Sequence, residues 1–321
     1  MFAVYAESFN AEDPLAGLVV GEQPEPTPRP GWAKVQVGAA SVNHHDLWTL
    51  RGVGITADRL PMILGCDAAG MDEQGNPVLV YPVVADPSYE DESLDPQRSL
   101  LSEVYPGTFA DWVMVPQRNL LPLPPSMTLA EAACLPTAWL TAYRMLAVRS
   151  DLKPGDTVLV QGAGGGVATA AITLGRVMGY RVWATSREES KRAAALEIGA
   201  HQVFEAGARL PERVDAVMET VGAATWEHSL KSLKPGGRLV ISGATSGPNP
   251  PADLARIFFK QLAVVGSTMG TRHELQRLIS LCDSAGVRPI VADELPMTAA
   301  ADAIARIAAG DVFGKLVLTR D

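Results

Sequence analysis

The sequence predicts an α/β protein in which a small β domain accompanies a doubly wound, parallel-sheet domain. Three features predict it. The first third holds short β-like runs broken by Pro and Gly, and from about residue 137 strands and helices alternate. Within that alternating part an apolar strand runs straight into a cluster of glycines that opens a helix. Such alternation buries a parallel sheet under helices on both faces. A chain of 321 residues is too long for one ordinary core and suits two. Its 47% apolar and 20% charged residues are those of a globular chain, not of a disordered one.

In the β domain, residues 32–37, 78–81 and 109–115 read as strands. Pro24, Pro26, Pro28 and Pro30 alternate ahead of the first, which favours extended chain leading into it. Residues 86–98 carry five acids and one Arg and read as an exposed loop. In the second part, residues 156–162 form an apolar strand, 165–179 a helix, 181–186 a second strand and 188–198 a second helix. Residues 215–220, 238–242 and 262–266 follow as further strands, separated by helical stretches. Lys234, Pro235, Gly236 and Gly237 read as the turn that ends one helix and feeds the next strand.

Composition excludes several functions. The net charge is -9 and no basic stripe is visible, so nucleic acid is not expected as a partner. Cys66, Cys134 and Cys282 are scattered, odd in number and without a CxxC pair, which argues against a disulfide framework or a zinc knuckle. The N-terminus lacks the charged and apolar regions of a signal peptide. No window approaches the ~18 apolar residues needed to span a bilayer. The expectation is a cytoplasmic protein with a small-molecule substrate and no membrane partner.

The most informative segment is VLVQGAGGGVA, residues 158–168. Small residues let the backbone approach a pyrophosphate, and a helix N-terminus offers free N–H groups and a positive dipole end. Read as Ala163-x-Gly165-x-x-Ala168, the turn departs from GxGxxG at its first and last glycines. Ala is accepted at the last position, where close helix–strand packing is required. Ala163, Gly164, Gly165, Gly166 and Val167 are therefore the candidate cofactor contacts. The second strand ends at Ser186 and Arg187, where an acid would hold the ribose of NAD. A hydroxyl at Ser186 can donate to a 2′-phosphate, Arg187 can clamp it, and Lys191 lies one helical turn on. This favours NADP(H) over NAD. The competing reading pairs Arg187 and Lys191 with Glu188 and Glu189, which could also serve an NAD ribose.

With these residues in place, the chain resembles the medium-chain dehydrogenase/reductase superfamily and, within it, the zinc-free quinone oxidoreductase branch. The resemblance is carried by SVNHHDL (41–47), LPMILGCDAAG (60–70), LTAYRML (140–146), the glycine turn, ETVGAATWEHSLKSLKPGGRLVISGATSG (219–247), VVGSTMGTRHEL (264–275) and FGKLVL (313–318). It implies a GroES-like β domain from residues 1–136 and 269–321, and a Rossmann domain from 137–268 between them, with the active site in the cleft. It further implies cofactor contacts at Val221 and Gly222, at Gly243, Ala244 and Thr245, and at a closing turn of Phe313, Gly314 and Lys315. A homodimer through the edge strand near residues 262–266 is implied as well.

The resemblance also frames the metal question. Zinc-dependent relatives place a Cys, a His-Glu pair and a further Cys where this chain has Asn43, Cys66-Asp67 and Thr137. Asn and Thr are poor zinc ligands. Cys66 and Asp67 can ligate, with His44 or His45 recruited, in an improvised site; the other reading makes Cys66 a buried filler and Asp67 a hydrogen-bonded cleft residue. No metal is expected. Hydrogen-bond donors must then stabilise developing negative charge, and Asn43 is the first candidate, although Asn also holds turns. By resemblance Thr141 touches the nicotinamide. His44 and His45 are candidate proton relays. The expected activity is NADPH-dependent hydride transfer to quinones, enones or related activated carbonyl compounds. The alternatives are an alcohol dehydrogenase with an atypical zinc site, and a nucleotide-binding sensor or structural protein.

Overall fold

The computed structural model describes residues 1–320. The chain divides into two units: residues 1–137 with 270–321, and residues 138–269. The fold is α/β, with a GroES-like β unit and a Rossmann unit.

The first unit centres on a mixed seven-stranded sheet. Its long strand, Trp32–Ser41, pairs antiparallel with Ala69–Met71, Trp112–Pro116 and Lys315–Thr319. Lys315–Thr319 comes from the far end of the chain and adds Val291–Pro296 as a parallel neighbour. Inward-facing Val35 and Val37 alternate with Lys34 and Gln36 along the long strand, as expected of a sheet with one face on a core. That core includes Val4, Val35, Leu64, Phe109, Ile304 and Leu316. Residues 86–98 form the mostly exposed loop expected of them, except at three buried positions. Glu92, Ser93 and Asp95 are buried, because Glu92 pairs with Arg118 at 3.0 Å and Asp95 accepts backbone N–H groups from Asp86 and Gln97.

The second unit is a six-stranded, fully parallel sheet in the order Gln202–Glu205, Arg181–Ser186, Thr157–Val160, Val214–Glu219, Leu233–Ile241, Ala263–Gly266. The chain winds outward from Thr157–Val160 and then reverses to Val214–Glu219, so a crevice opens at the carboxyl ends of those two strands. Thr157–Val160 is buried at every position, which a central parallel strand covered on both faces requires. The core joins Leu159, Trp183, Val217, Leu230 and Leu239. One expected boundary moves. Leu233 pairs with Val214, and pairing resumes at Arg238 opposite Ala216. The Lys234–Gly237 turn is thus a bulge inside the strand rather than a connection ahead of it.

Candidate functional site

In the second unit the glycine turn stands at the end of Thr157–Val160. Gly162 takes φ +70° and Gly164 φ +150°, conformations that favour glycine. A Cβ on Gly162 would come within 2.7 Å of Val221 Cγ2. Thr185 holds the turn from the neighbouring strand: Gly162 N–H donates to its Oγ1 at 3.3 Å and Ala163 N–H to its carbonyl at 2.7 Å. Gly165 is the N-cap of helix Gly166–Val177 and has no side-chain cap. A Cβ there would meet nothing within 4 Å. The first N–H groups of this helix therefore have neither an intrahelical partner nor a side-chain cap, beside an exposed Gly165.

The other expected cofactor residues of this unit gather at the same edge. Ser186 is buried at the end of its strand, and its hydroxyl accepts Glu188 N–H at 3.3 Å. Arg187 is exposed and pairs with no carboxylate among the described residues. Lys191 instead pairs with Glu188 at 2.7 Å, so for this residue the competing local pairing is the one formed. Arg192 was not foreseen; its guanidinium donates to the carbonyls of Ser186 and Arg187 at 2.8 and 3.1 Å and fixes that turn. Val221 and Gly222 form a turn whose N–H groups donate to Glu219 Oε1 at 2.8 and 3.0 Å. Gly243, Ala244 and Thr245 pack on it, since a Cβ on Gly222 would lie 2.6 Å from the Gly247 carbonyl and 2.8 Å from Ala244 Cα. Thr141 is buried on helix Leu140–Arg144 of this unit.

The first unit gathers a buried polar cluster. Asn43 caps helix His44–Leu50, and the Asp46 side chain closes the capping box by accepting Asn43 N–H at 2.8 Å. Asp46 also accepts Gly65 N–H at 3.0 Å. Burial pushes the Asp46 carboxyl up to about 6, against the pull of His45, the Asn43 N–H and Lys315. The Asn43 amide donates to Asp67 Oδ2 at 2.8 Å and to the Ser41 carbonyl at 3.1 Å, and its oxygen accepts the Lys315 ammonium at 2.5 Å. Lys315 also donates to the Val42 carbonyl at 2.6 Å. Asp67 accepts Ser41 Oγ at 2.9 Å and Thr137 Oγ1 at 2.5 Å as well. Burial raises the Asp67 carboxyl, opposed by the Lys315 charge and the hydrogen bonds from Thr137, Asn43 and Ser41. Burial, with the charges of Asp67 and Asp46, drives the Cys66 thiol well above its usual range.

This geometry bears on two expectations. Asn43 is not a free donor for a substrate oxygen, because both of its amide N–H groups are spent inside the protein. Lys315, expected in the turn that closes over the cofactor, is 3% exposed and directs its ammonium into the Asn43 cluster. Its neighbours Phe313 and Gly314 keep the turn, and Gly314 takes φ +104°, where a Cβ would strike the Ile290 carbonyl at 2.4 Å. Of the two histidines, His44 is exposed, whereas His45 binds Glu103 at 3.1 Å.

Several residues escaped the sequence reading. Gln161 and Glu219 end apolar strands as buried polar groups, and Thr185 and Ser229 are buried beside them. A polar residue closing an otherwise apolar run is the one signal that marked Gln161 and Glu219 in the sequence. Ser229 carried none.

Comparisons with known proteins agree with this architecture. Residues 29–125 match the family model for an alcohol dehydrogenase GroES-like domain, and residues 166–284 match that for a zinc-binding dehydrogenase. Quinone oxidoreductase of Mus musculus is 27% identical, over 91% of this chain and 90% of its own. Acryloyl-coenzyme A reductase of Metallosphaera sedula is 28% identical, over 86% and 88%. A crystal structure of an NAD-dependent alcohol dehydrogenase superimposes with a TM-score of 0.92 at 31% identity, covering 100% of both chains.

Proposed function

We propose that this chain, which belongs to the medium-chain dehydrogenase/reductase superfamily in its quinone-oxidoreductase-like branch and is an NAD(P)H-dependent oxidoreductase, takes NADPH and reduces quinones, enones or related activated carbonyl compounds without a catalytic metal. The observation that carries the metal-free part is the cluster around Asn43. Zinc would need three or four convergent thiolate, imidazole or carboxylate ligands. Among the described residues no group of three His, Cys, Asp or Glu converges in this way. Asp67 spends both oxygens on neutral donors, and Lys315 already places a positive charge in the cluster. These residues do not fit a zinc ion.

The crevice residues fit a dinucleotide. The uncapped N–H groups of Gly166 and Val167 and the positive end of their helix suit a pyrophosphate. Arg187, which pairs with no carboxylate among the described residues, suits a 2′-phosphate, and Ser186, whose hydroxyl hydrogen has no acceptor among them, stands beside it. Val221, Gly222, Gly243, Ala244 and Thr245 supply small, close-packed backbone along the remainder of the crevice. A bound nicotinamide supplies the hydride. The chain's own task is to orient the acceptor and to answer the charge that develops on its oxygen. In this reading Thr141 offers a hydroxyl donor, while Asn43 holds the Lys315 charge in place and acts indirectly. The acryloyl-coenzyme A reductase and quinone oxidoreductase relatives support an activated double bond or quinone as acceptor.

The free edge at Ala263–Gly266, with Val264 exposed, supports a homodimer, which light scattering checks. The three cysteines are buried and unpaired, which suits a reducing compartment such as the cytoplasm. Among the described residues no helix is long and apolar enough to cross a membrane.

The test is direct. Purified protein is assayed for zinc, treated with a chelator, and given NADPH or NADH with a panel of quinones, enones and alcohols. The expected result is chelator-resistant oxidation of NADPH by quinones or enones, with NADH the poorer donor. Stoichiometric zinc that restores alcohol oxidation would replace this reading with an alcohol dehydrogenase. Nucleotide binding without turnover on any acceptor would leave a sensor.

A further inference from the structure

Beneath the crevice of the second unit runs a chain of buried side chains that the reading above leaves unused. Thr185 Oγ1 donates to Gln161 Oε1 at 2.6 Å. Gln161 Nε2 donates to Ser229 Oγ at 2.9 Å, and Ser229 Oγ donates to Glu219 Oε2 at 2.6 Å. The second hydrogen on Gln161 Nε2 meets His228 Nδ1 at 2.9 Å, and His228 Nε2 lies 2.9 Å from the Ala208 carbonyl. Every link therefore has a partner, and His228 is held as the Nε2–H tautomer. Gln161, Ser229 and Glu219 are each 0% exposed and Thr185 is 1% exposed.

The donors all point the same way and end on a carboxylate. Such chains polarise one another in a low-dielectric interior. Their ends are the three backbone segments that line the crevice. Thr185 holds the N–H of Gly162 and, through its carbonyl, that of Ala163. Its neighbour Ser186 begins the Arg187 turn. Glu219 holds the N–H groups of Val221 and Gly222 and the hydroxyl of Thr225. Gln161 follows the middle strand of three adjacent parallel strands and bonds toward both ends of the chain, to Thr185 directly and to Glu219 through Ser229, so it ties the carboxyl ends of those strands into one frame.

We infer that Gln161 is a positioning residue for the dinucleotide: through Thr185 on one side and Ser229 and Glu219 on the other, it sets the spacing between the glycine turn and the Val221–Gly222 turn before a nucleotide arrives. Its side chain is fully buried, so it acts through the residues it holds. The inference rests on the nucleotide reading of this crevice and adds to it the residue that preorganises the site.

A preorganising residue and a phosphate-reading residue leave different signatures. Removing Gln161 loosens features shared by NADPH and NADH, so both lose affinity equally. Removing Arg187 affects only the nucleotide with the extra phosphate. The experiment measures the Kd of NADPH and of NADH by fluorescence titration, with kcat and thermal unfolding alongside, for wild type, Gln161→Leu, Thr185→Val and the double variant. For Gln161→Leu both nucleotides are expected to bind about tenfold more weakly, the size of one lost buried hydrogen bond, with kcat at saturating nucleotide within about twofold of wild type. The double variant is expected to lose less than the product of the two single losses, because both substitutions cut the same chain. Gln161→Met, closer in shape, and Thr185→Val read the same chain if Gln161→Leu does not fold. Unchanged affinities, a loss confined to one nucleotide, or fully multiplicative losses would overturn the inference. Wild-type protein that takes up neither nucleotide would overturn the nucleotide reading beneath it.

Discussion

The two polar regions of this molecule are built on opposite plans. At the glycine turn the backbone is left wanting: helix Gly166–Val177 begins without a side-chain cap, and Arg187 stands exposed without a carboxylate. At Asn43 nothing is left over. Asp67 accepts three hydrogen bonds, the Asn43 amide is saturated, and the Lys315 charge opposes that of Asp67 across the amide. Unsatisfied donors next to open space are the mark of a site awaiting an anion. A saturated, buried ion arrangement is the mark of a fixed internal field. Both regions are rich in polar atoms, so polarity alone does not separate a receiving site from a structural one. The balance of donors and acceptors does.

The largest effect that would break this comparison is expected at Lys315. Lys315→Met removes the buried donor of two hydrogen bonds, to the Asn43 amide oxygen and the Val42 carbonyl, and each hydrogen bond from a charged group is worth about 1.5–3 kcal/mol. Urea unfolding should show a loss of that order, while nucleotide affinity of the folded protein should hold. A stability change below about 1 kcal/mol, the range of exposed pairs, would show that the cluster is not closed. Arg187→Ala comes next. It should weaken NADPH by about 1.5–3 kcal/mol, the worth of a charge-assisted hydrogen bond, with NADH unchanged and the NADPH loss shrinking as salt rises. Equal losses for both nucleotides would remove the 2′-phosphate from the account.

A smaller effect separates the cluster by its pH response. The Asp46 carboxyl, usually near 3.8, is pushed up to about 6 in the folded protein by burial. Between those values the folded state binds the proton that the unfolded state has lost. This contribution to stability therefore falls as pH rises through that window. Burial alone would depress His45, but its hydrogen bond to Glu103, with the charges of Asp46, Glu103 and Asp67, raises it. That contribution is present below about 6.5 and is lost as pH climbs through the raised value, so the two act with the same sign. Thermal unfolding against pH should flatten between about 4 and 6 in Asp46→Asn, which keeps a carbonyl acceptor for the cap. An unaltered slope would show that Asp46 is not the group responsible.

Much of this could be read from the order of residues alone. The strand at 156–162 and the helix after it were legible because four buried positions in a row, followed by glycines, leave few alternatives to a covered parallel strand and a tight turn. The acidic stretch at 86–98 reads as exposed and most of it is, but composition does not reveal that Arg118 waits for Glu92 from 26 residues away. Asn43 and Lys315 both stand out in the sequence, but not as partners of each other. They stand 272 positions apart in the chain, and local pattern carries no information about a contact of that range.

Residue order alone was enough for the fold class and for the strand–glycine–helix turn, because these follow from hydrophobic period and glycine placement. Which polar groups are spent and which are free emerged only from the folded chain. Lys315 turns inward, Arg187 stays outward, and Gln161 becomes the tie between three strands. The physical reason is that a hydrogen bond is a property of a pair: its energy depends on a partner's position, burial and remaining valence, which exist only once distant segments have met.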